Sequence, residues 1–284
     1  SYLDATSSWW TAALGYGHPR LVGALQSQAA QLAHVAMAGA THAPAARLAQ
    51  KLSQVAPAYG DDPLTRVFYS DNGSTSVEVA LKIAFQAFAQ NGEPERQRFL
   101  SLPGSYHGDT LGAMSVGSLD EFGKVFRPLL FSHNDEPLPK HEAAWRALFA
   151  RLTETPRRDA STIAAVIVEP LVLGAAGMSM YPAALLHELR QVCTETGVLL
   201  IADEVFTGLG RTGLRWACDH AEITPDLMCV SKALTGGLLP FAATLATESL
   251  YDRFRGDLSR AVMHGHTYTG NPLGAAVALE TLNV

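Results

Sequence analysis

Short runs of consecutive apolar residues alternate along this chain with longer segments of helical periodicity. Two such segments, Ser74–Ala89 and Ala183–Thr196, are predicted to be helices. The runs that predict strands are Thr65–Ser70, Arg98–Leu102, Ala164–Glu169, Val198–Asp203, Asp226–Ser231 and Phe241–Ala246. Because continuous apolar runs suit strands buried on both faces, and alternation with helices favours parallel pairing, the pattern predicts an α/β fold around a mostly parallel sheet.

Three further segments lie outside these predicted elements. Ser1–Asp4 is predicted to be a strand already under way, and Gly274–Val284 an Ala-rich helix without a cap or a stop signal. The polar stretch Glu154–Ser161 is predicted to be a surface connection. From the two ends we expect a fragment that is cut on both sides.

Polar residues stand where the predicted strands end, which is where parallel sheets carry their chemistry. Asp203 closes an apolar run, and Lys232 follows another and precedes a Gly-Gly turn. A carboxylate at a buried strand end needs a cation or hydrogen-bond donors, so Asp203 by itself indicates either a structural ion pair or a functional group. A desolvated lysine can lose its proton and act as nucleophile and base, although a lone lysine at a strand end is usually solvated.

Two smaller motifs allow both a structural and a functional interpretation. Gly73-Ser74-Thr75 begins a predicted helix, where free N–H groups and the helix dipole suit a phosphate, although N-capping by Ser74 is the simpler explanation. Tyr106 lies in a Gly-bounded turn after a strand, where it could stack on a flat cofactor or belong to the core.

Three other patterns carry less information. Gly208–Gly213 matches G-x-G-x-x-G, but it does not open a helix directly after a strand, so a dinucleotide site is weakly indicated. His264-Gly265-His266 has no third ligand pattern nearby, so we expect no metal site. Trp9-Trp10 could line an apolar pocket or pack in the core.

Composition and charge narrow the classes of function. Of the 284 residues, 48% are hydrophobic and 17% charged, with a formal net charge of −6. Since phosphate binding needs a concentrated basic face, a nucleic-acid partner is disfavoured. No stretch approaches the roughly 18 uncharged apolar residues of a membrane span. Cys193, Cys218 and Cys229 form no C-x-x-C pair, so we expect free thiols in a reducing, cytoplasmic compartment.

The runs around Asp203 and Lys232 resemble the class III aminotransferases, which depend on pyridoxal 5'-phosphate (PLP). The matching runs are Ile201–Gly213, Pro225-Asp226 and Ser231–Gly237. The resemblance implies the three-layer large domain of the aspartate-aminotransferase type, with a small C-terminal domain missing from this chain. It divides the chain into an N-terminal segment, 1–40, that carries the Trp pair of the substrate pocket, and a large PLP-binding domain, 41–284.

The same resemblance implies a role for each matching residue. Lys232 would carry PLP as a Schiff base and be catalytic, and Asp203 would bond the pyridine nitrogen. The cofactor would also contact Gly73, Ser74, Tyr106, His266 and Thr267, with His266 and Thr267 reaching the phosphate of the neighbouring subunit in a homodimer. Substrate would contact Trp9, Tyr106, Lys232 and Gly265.

Further runs, among them Ser7–Trp10, Tyr106–Val116 and Met263–Thr267, are similar to the members of this family in biotin synthesis. This similarity implies S-adenosylmethionine as amino donor and 8-amino-7-oxononanoate as acceptor. This chain has His266 where those members often carry proline. Two alternatives stay open: another ω-aminotransferase acting on a diamine or ω-amino acid, and a truncated, non-catalytic module of the same fold.

Overall fold

A six-stranded sheet forms the middle layer of the protein, whose computed structural model describes residues 2–118, 123–132, 134 and 136–284. Its strands are β1 (Leu64–Ser70), β2 (Arg98–Ser101), β3 (Ile163–Val168), β6 (Leu199–Asp203), β7 (Leu227–Val230) and β8 (Ala242–Thr247), and a separate antiparallel ribbon joins β4 (Val172–Leu173) to β5 (Ser179–Met180). The order across the sheet is β1-β8-β7-β6-β3-β2. The three pairings from β7 to β2 are parallel, and β8 runs antiparallel to both neighbours.

The predicted strands and the mostly parallel sheet are therefore confirmed, with bounds that differ by one residue. The helices are α1 (Pro19–Gln31), α2 (Ala43–Val55), α3 (Gly73–Ala89), α4 (Leu111–Ser115), α5 (Glu142–Asp159), α6 (Ala183–Thr196), α7 (Glu248–Asp252) and α8 (Pro272–Thr281). Short 3-10 helices occupy Lys124–Leu129, Ala160–Thr162, Ala217–Ala221, Lys232–Thr235 and Leu258–Arg260. The predicted helix at Ala183–Thr196 is confirmed, and the predicted Ser74–Ala89 helix begins one residue earlier.

Helices cover both faces of the sheet and give the three layers. Along β6, Leu200 and Ala202 join the core on the face of α2, α5, α6 and α8, and Leu199 and Ile201 join the core on the face of α3. Because side chains alternate between the faces of a strand, an apolar residue is needed at every position here. This explains why the central strands read as continuous apolar runs.

Two predictions about secondary structure are wrong. Glu154–Ser161 is not a connection, because α5 continues to Asp159 and buries Leu152, Thr153 and Pro156 on its inner face. Proline inside a helix removes one backbone hydrogen bond, and the burial of this apolar face offsets that loss. Residues 2–4 are not a strand, and Ser1 lies outside the described residues.

The last helix also differs from its prediction. The helix α8 begins at Pro272 and ends at Thr281, so it does not run on to Val284. The side chain of Asn271 accepts a hydrogen bond from the N–H of Gly274 at 2.7 Å, which supplies the N-cap that the sequence pattern did not reveal. Within the described ranges, no helix is both long and apolar enough to cross a membrane.

Candidate active site

A cavity of about 580 Å³ opens where the carboxyl ends of β3, β6 and β7 meet the start of α3. The predicted site residues that line it are Trp9, Gly73, Ser74, Tyr106, Asp203 and Lys232. Five chain segments that lie far apart in the sequence thus converge on one space. The predicted residues Gly265, His266 and Thr267 do not line it.

Asp203 is the last residue of β6, and only 4% of its surface is exposed. One carboxylate oxygen lies 2.7 Å from Nδ1 of His107, and the other accepts a hydrogen bond from the N–H of Val205 at 3.1 Å. Charge-assisted hydrogen bonds of this kind stabilise a buried carboxylate. The side chain is therefore fixed at the floor of the cavity.

A second buried carboxyl group, Glu169, follows β3 directly and also lines the cavity. Its two oxygens accept hydrogen bonds from the N–H groups of Tyr106 and Gly174, both at 3.0 Å. The pKa of Glu169 is raised to about 7, chiefly by burial; His107 opposes this shift, and the nearby Asp203 adds to it. Glu169 thus ties the loop that carries Tyr106 and His107 to the end of β3.

Lys232 begins the 3-10 helix that follows β7, with an unusual φ of 44° for a residue other than glycine. Its Nζ atom lies 5.1 Å from the ring centroid of Trp10 and 5.7 Å from that of Phe206. Burial lowers the pKa of Lys232, although Asp203 and Glu169 act in the opposite direction. Since a neutral amine is the nucleophilic form, this environment suits covalent chemistry at Nζ.

The start of α3 provides free backbone N–H groups at the cavity wall. The N-cap is Asn72, whose side chain accepts from the N–H of Thr75 at 3.0 Å. Capping by Ser74, the simpler explanation of this motif, is therefore wrong, because the Oγ of Ser74 accepts instead from the N–H of Asp109 at 3.2 Å. Asn72 does not cap the N–H groups of Gly73 and Ser74, which line the cavity, and the helix dipole there favours an anion.

Tyr106 lies partly buried between Glu169 and Asp109. Burial raises the pKa of Tyr106 to about 12, with the carboxylate of Asp109 adding to the shift. The phenol is consequently neutral near pH 7 and offers the cavity an aromatic face with a polar end.

Gly265, His266 and Thr267 are exposed, in the loop that precedes α8. Nδ1 of His266 lies 3.5 Å from a carboxylate oxygen of Asp71. The imidazole of the neighbouring His264 lies 3.2 Å from Nζ of Lys82. In the part of the chain that the structure describes, no three His, Cys, Asp or Glu residues group as metal ligands.

The glycine-rich stretch Gly208–Gly213 forms turns and opens no helix. Its anchor is Glu204, a buried carboxyl group that accepts from the hydroxyl of Thr207 at 2.6 Å and the N–H of Cys218 at 2.8 Å. Burial raises the pKa of Glu204. A dinucleotide-binding function for these glycines is therefore not supported by their place in the fold.

Three residues whose contacts shape the site received no role from sequence reasoning: His107, Glu169 and Phe206. Glu169 carried the same signal as Asp203, namely a carboxyl group directly after an apolar strand. His107 stands beside Tyr106 in the same motif, but only the fold shows its contact with Asp203. Trp10 and Phe206 meet with ring centroids 4.7 Å apart, and no local pattern relates them.

Comparison with known proteins identifies the family to which the chain belongs. The family described as Aminotransferase class-III matches residues 1–284. Adenosylmethionine-8-amino-7-oxononanoate aminotransferase from Synechococcus elongatus is 48% identical over 99% of this chain and 67% of the relative. The crystal structure of the enzyme of that name from Methanocaldococcus jannaschii has a TM-score of 0.90 at 39% identity, over 99% of this chain and 64% of that one. A PLP-bound amine transaminase from an uncultivated Pseudomonas species has a TM-score of 0.88 at 34% identity, covering 99% of this chain and 66% of its own.

Fold and site together define a transferase domain of the PLP-dependent type. The chain belongs to the class III aminotransferase family. It spans between 54% and 67% of the length of the first four curated relatives that it matches. The residues present fit PLP, because the free N–H groups of Gly73 and Ser74 suit a phosphate, while Asp203 and Lys232 stand in the same cavity.

The raised pKa of Glu169 predicts how the stability of the cofactor-free protein depends on pH. Below about pH 4.5 the carboxyl group is protonated in both folded and unfolded chains, and as pH rises toward 7 only the unfolded chain ionises. The free energy of unfolding should therefore decrease by roughly 3 kcal/mol as the pH rises through this window. We expect this decrease to be smaller in Glu169→Gln. The measurement is the free energy of unfolding in urea at pH 5 and at pH 8.

The matched control is Glu95→Gln at an exposed position, which should leave the pH dependence of the parent protein unchanged. The quantity compared is the difference between the free energies of unfolding at the two pH values. The glutamine side chain also disturbs the hydrogen bond from Gly174, but it does so equally at both pH values, so this effect cancels. Equal slopes for Glu169→Gln and the parent would contradict the assignment.

Proposed function

We propose that the whole protein is an aminotransferase that moves an amino group from S-adenosylmethionine to 8-amino-7-oxononanoate, which yields 7,8-diaminononanoate for biotin synthesis. The observation that carries the proposal is the meeting of Lys232 and Asp203 in one cavity that Trp9 and Trp10 also line. The names of the curated relatives, which are 37–48% identical to this chain, support the choice of substrates.

The cofactor in this proposal would be held by residues that line one cavity. Lys232 would hold PLP covalently, Asp203 would keep a proton on its ring nitrogen, and the N–H groups of Gly73 and Ser74 would bind its phosphate. Tyr106 would offer its aromatic face to the cofactor and contact substrate. When bound, PLP supplies an electron sink for the electrons released at the substrate carbon.

Lys232 would have a second role as the base of the reaction. Its amine would move a proton from the substrate carbon, and the pKa of this amine, lowered by burial, leaves a larger neutral fraction for that task. The aromatic rings of Trp10 and Phe206 keep Nζ near the cavity floor and limit its contact with water. Trp9 and Gly265 complete the proposed substrate contacts.

We further propose a homodimer with shared active sites. His266 and Thr267 are exposed and stand outside the cavity of their own chain, which is compatible with binding the phosphate of a neighbouring subunit. The division into segments 1–40 and 41–284 stays a prediction. The three buried free thiols support a reducing, cytoplasmic location.

One alternative is favoured by a specific likeness. An ω-transaminase from Pseudomonas jessenii has a TM-score of 0.89 at 30% identity over 99% of this chain, so a diamine or ω-amino acid donor would suit the same fold. The other alternative is a non-catalytic module of this fold.

A donor titration of the full-length protein distinguishes these functions. With PLP added, we expect a visible absorption band from lysine-bound cofactor that S-adenosylmethionine removes and that neither ornithine nor 4-aminobutyrate removes at the same concentration. Removal by ornithine or 4-aminobutyrate alone would assign the ω-aminotransferase. Absence of any band, and of a borohydride-fixed label on Lys232, would favour the non-catalytic module.

A further inference from the structure

Four consecutive residues near the start of the chain, Ser7–Trp10, adopt left-handed backbone conformations. Their φ angles are 50°, 51°, 54° and 65°, and none of them is glycine. In this region the Cβ atom crowds the following carbonyl oxygen, so residues other than glycine visit it singly and at a cost. A run of four persists only where the surrounding structure imposes it, and such strain concentrates at ligand sites. We call Ser7–Trp10 the left-handed turn.

The carboxylate of Asp4 holds the left-handed turn from its N-terminal side. It accepts hydrogen bonds from the N–H of Thr6 at 3.1 Å and from the N–H of Ser8 at 2.6 Å. The hydroxyl of Tyr16 donates to the same carboxylate. On the other side, the hydroxyl of Thr11 donates to the carbonyl of Ser8 at 2.9 Å.

The left-handed turn packs on both loops that carry the proposed chemistry. The ring of Trp10 meets Phe206, which lies three residues after Asp203, and the carbonyl of Trp10 accepts from the guanidinium of Arg211 at 3.3 Å. Thr11 lies so close to Gly237, in the loop after Lys232, that a Cβ atom there would stand 3.0 Å from the Thr11 hydroxyl. Contacts with the active site thus hold the C-terminal side of the turn, at Trp10 and Thr11.

The left-handed turn also presents Trp9 at the cavity with 76% of its surface exposed. An exposed indole at a cavity is apolar surface that a bound ligand can cover. The cavity wall next to it is aromatic, from Trp10 to Phe206.

From these contacts we infer that Asp4 is a positioning residue, which keeps the left-handed turn strained and thereby holds Trp9 at the mouth of the cavity. This inference rests on the proposed function and extends it by naming what fixes Trp9. Without the Asp4 carboxylate, the turn relaxes toward right-handed or extended backbone, and Trp9 leaves the mouth of the cavity. The amine of Lys232 and the carboxylate of Asp203 stay in place.

The test measures acceptor kinetics in the full-length protein with the variant Asp4→Ala. We expect KM for 8-amino-7-oxononanoate to rise about tenfold, equivalent to about 1.4 kcal/mol, with kcat within about twofold of the parent. The band of lysine-bound PLP should stay, and chymotrypsin should cleave after Trp9 or Trp10 faster than in the parent. The control Asp61→Ala, at an exposed acidic residue, should change none of these readouts.

A second substitution in the Asp4→Ala background separates positioning from general stability. Glycine adopts positive φ without steric cost, so adding Ser8→Gly should restore most of KM and of the resistance to chymotrypsin. Adding Ser8→Ala should restore neither, because alanine keeps the Cβ atom. This pair isolates the backbone conformation, since both changes remove the same hydroxyl.

Three results would overturn the inference. The first is an unchanged KM in Asp4→Ala, and the second is that Ser8→Ala restores KM as well as Ser8→Gly does. The third is that Asp4→Ala loses the PLP band and unfolds at a lower temperature, and that Ser8→Gly restores neither. Failure of the proposed function is a separate outcome, in which the parent protein does not use 8-amino-7-oxononanoate. In that case the chymotrypsin comparison still decides whether Asp4 and the absence of a Cβ atom at position 8 control the left-handed turn.

Discussion

Lys232→Ala is expected to lower the rate of amino-group transfer by about four orders of magnitude. The lysine has two tasks in the proposed reaction, covalent attachment of the cofactor and proton transfer at the substrate carbon, and alanine performs neither. Positioned proton transfer alone contributes up to about 10⁴-fold in enzymes. The folded structure should survive, because removing a buried amine whose pKa is lowered by desolvation relieves an unfavourable burial.

The measurement is the single-turnover rate of the donor half-reaction, together with the absorption spectrum in the presence of PLP. The band of lysine-bound PLP should be absent from Lys232→Ala, while the unfolding temperature stays within a few degrees of the parent. Lys140→Ala, at an exposed lysine outside the cavity, serves as the matched control and should keep both rate and band. A variant that retains the band would show that another amine holds the cofactor.

Much of this site can be predicted from the sequence because its two principal residues, Asp203 and Lys232, are charged groups at the ends of buried strands. Asp203 and Lys232 each follow an apolar run that forms a fully buried strand, β6 and β7, so their charges stand out against their surroundings. Parallel neighbours bring such strand ends to one edge, which predicts that the two residues meet. For the same reason the sheet itself was predictable to within one residue at each strand end.

Other features depend on contacts between distant segments, which no local pattern contains. The stacking of Trp10 on Phe206 and the hydrogen bond from His107 to Asp203 join residues that the chain brings together only on folding. The burial of Pro156 in α5 is similar, since tertiary packing there overrides the low helix propensity of proline. Ser7–Trp10 contains no glycine, so its left-handed conformation has no signal in the sequence at all.

The two carboxyl groups at the strand ends illustrate why position alone does not define a role. Glu169 and Asp203 both follow buried strands and both line the cavity. Glu169 accepts from two backbone N–H groups, so both of its oxygens have a structural partner in the Tyr106 loop and the β4 ribbon. Asp203 accepts from only one backbone N–H group, that of Val205, and its other oxygen accepts from the side chain of His107.

Asp203→Asn is expected to slow the proton-transfer step of each half-reaction by about three orders of magnitude while PLP still binds. An ion pair about 4 Å apart at an effective dielectric of about 20 is worth roughly 4 kcal/mol before desolvation, which corresponds to about three pKa units on the partner. Asparagine has no charge to hold a proton on the ring nitrogen, so the electron sink weakens. Its amide oxygen can still accept from His107, which preserves that one hydrogen bond.

The decisive comparison is between the rate of proton transfer and the occupancy of the cofactor. Rapid mixing with donor should show the lysine-bound band of Asp203→Asn decaying about 10³-fold more slowly, with a kinetic isotope effect from deuterated substrate carbon at least as large as in the parent. Asp61→Asn, an exposed aspartate outside the cavity, controls for the amide substitution and should match the parent. The amide oxygen of asparagine can keep the hydrogen bond from His107 but then loses the one from Val205. A near-parental rate in Asp203→Asn would mean that the reaction does not require the charge of this side chain.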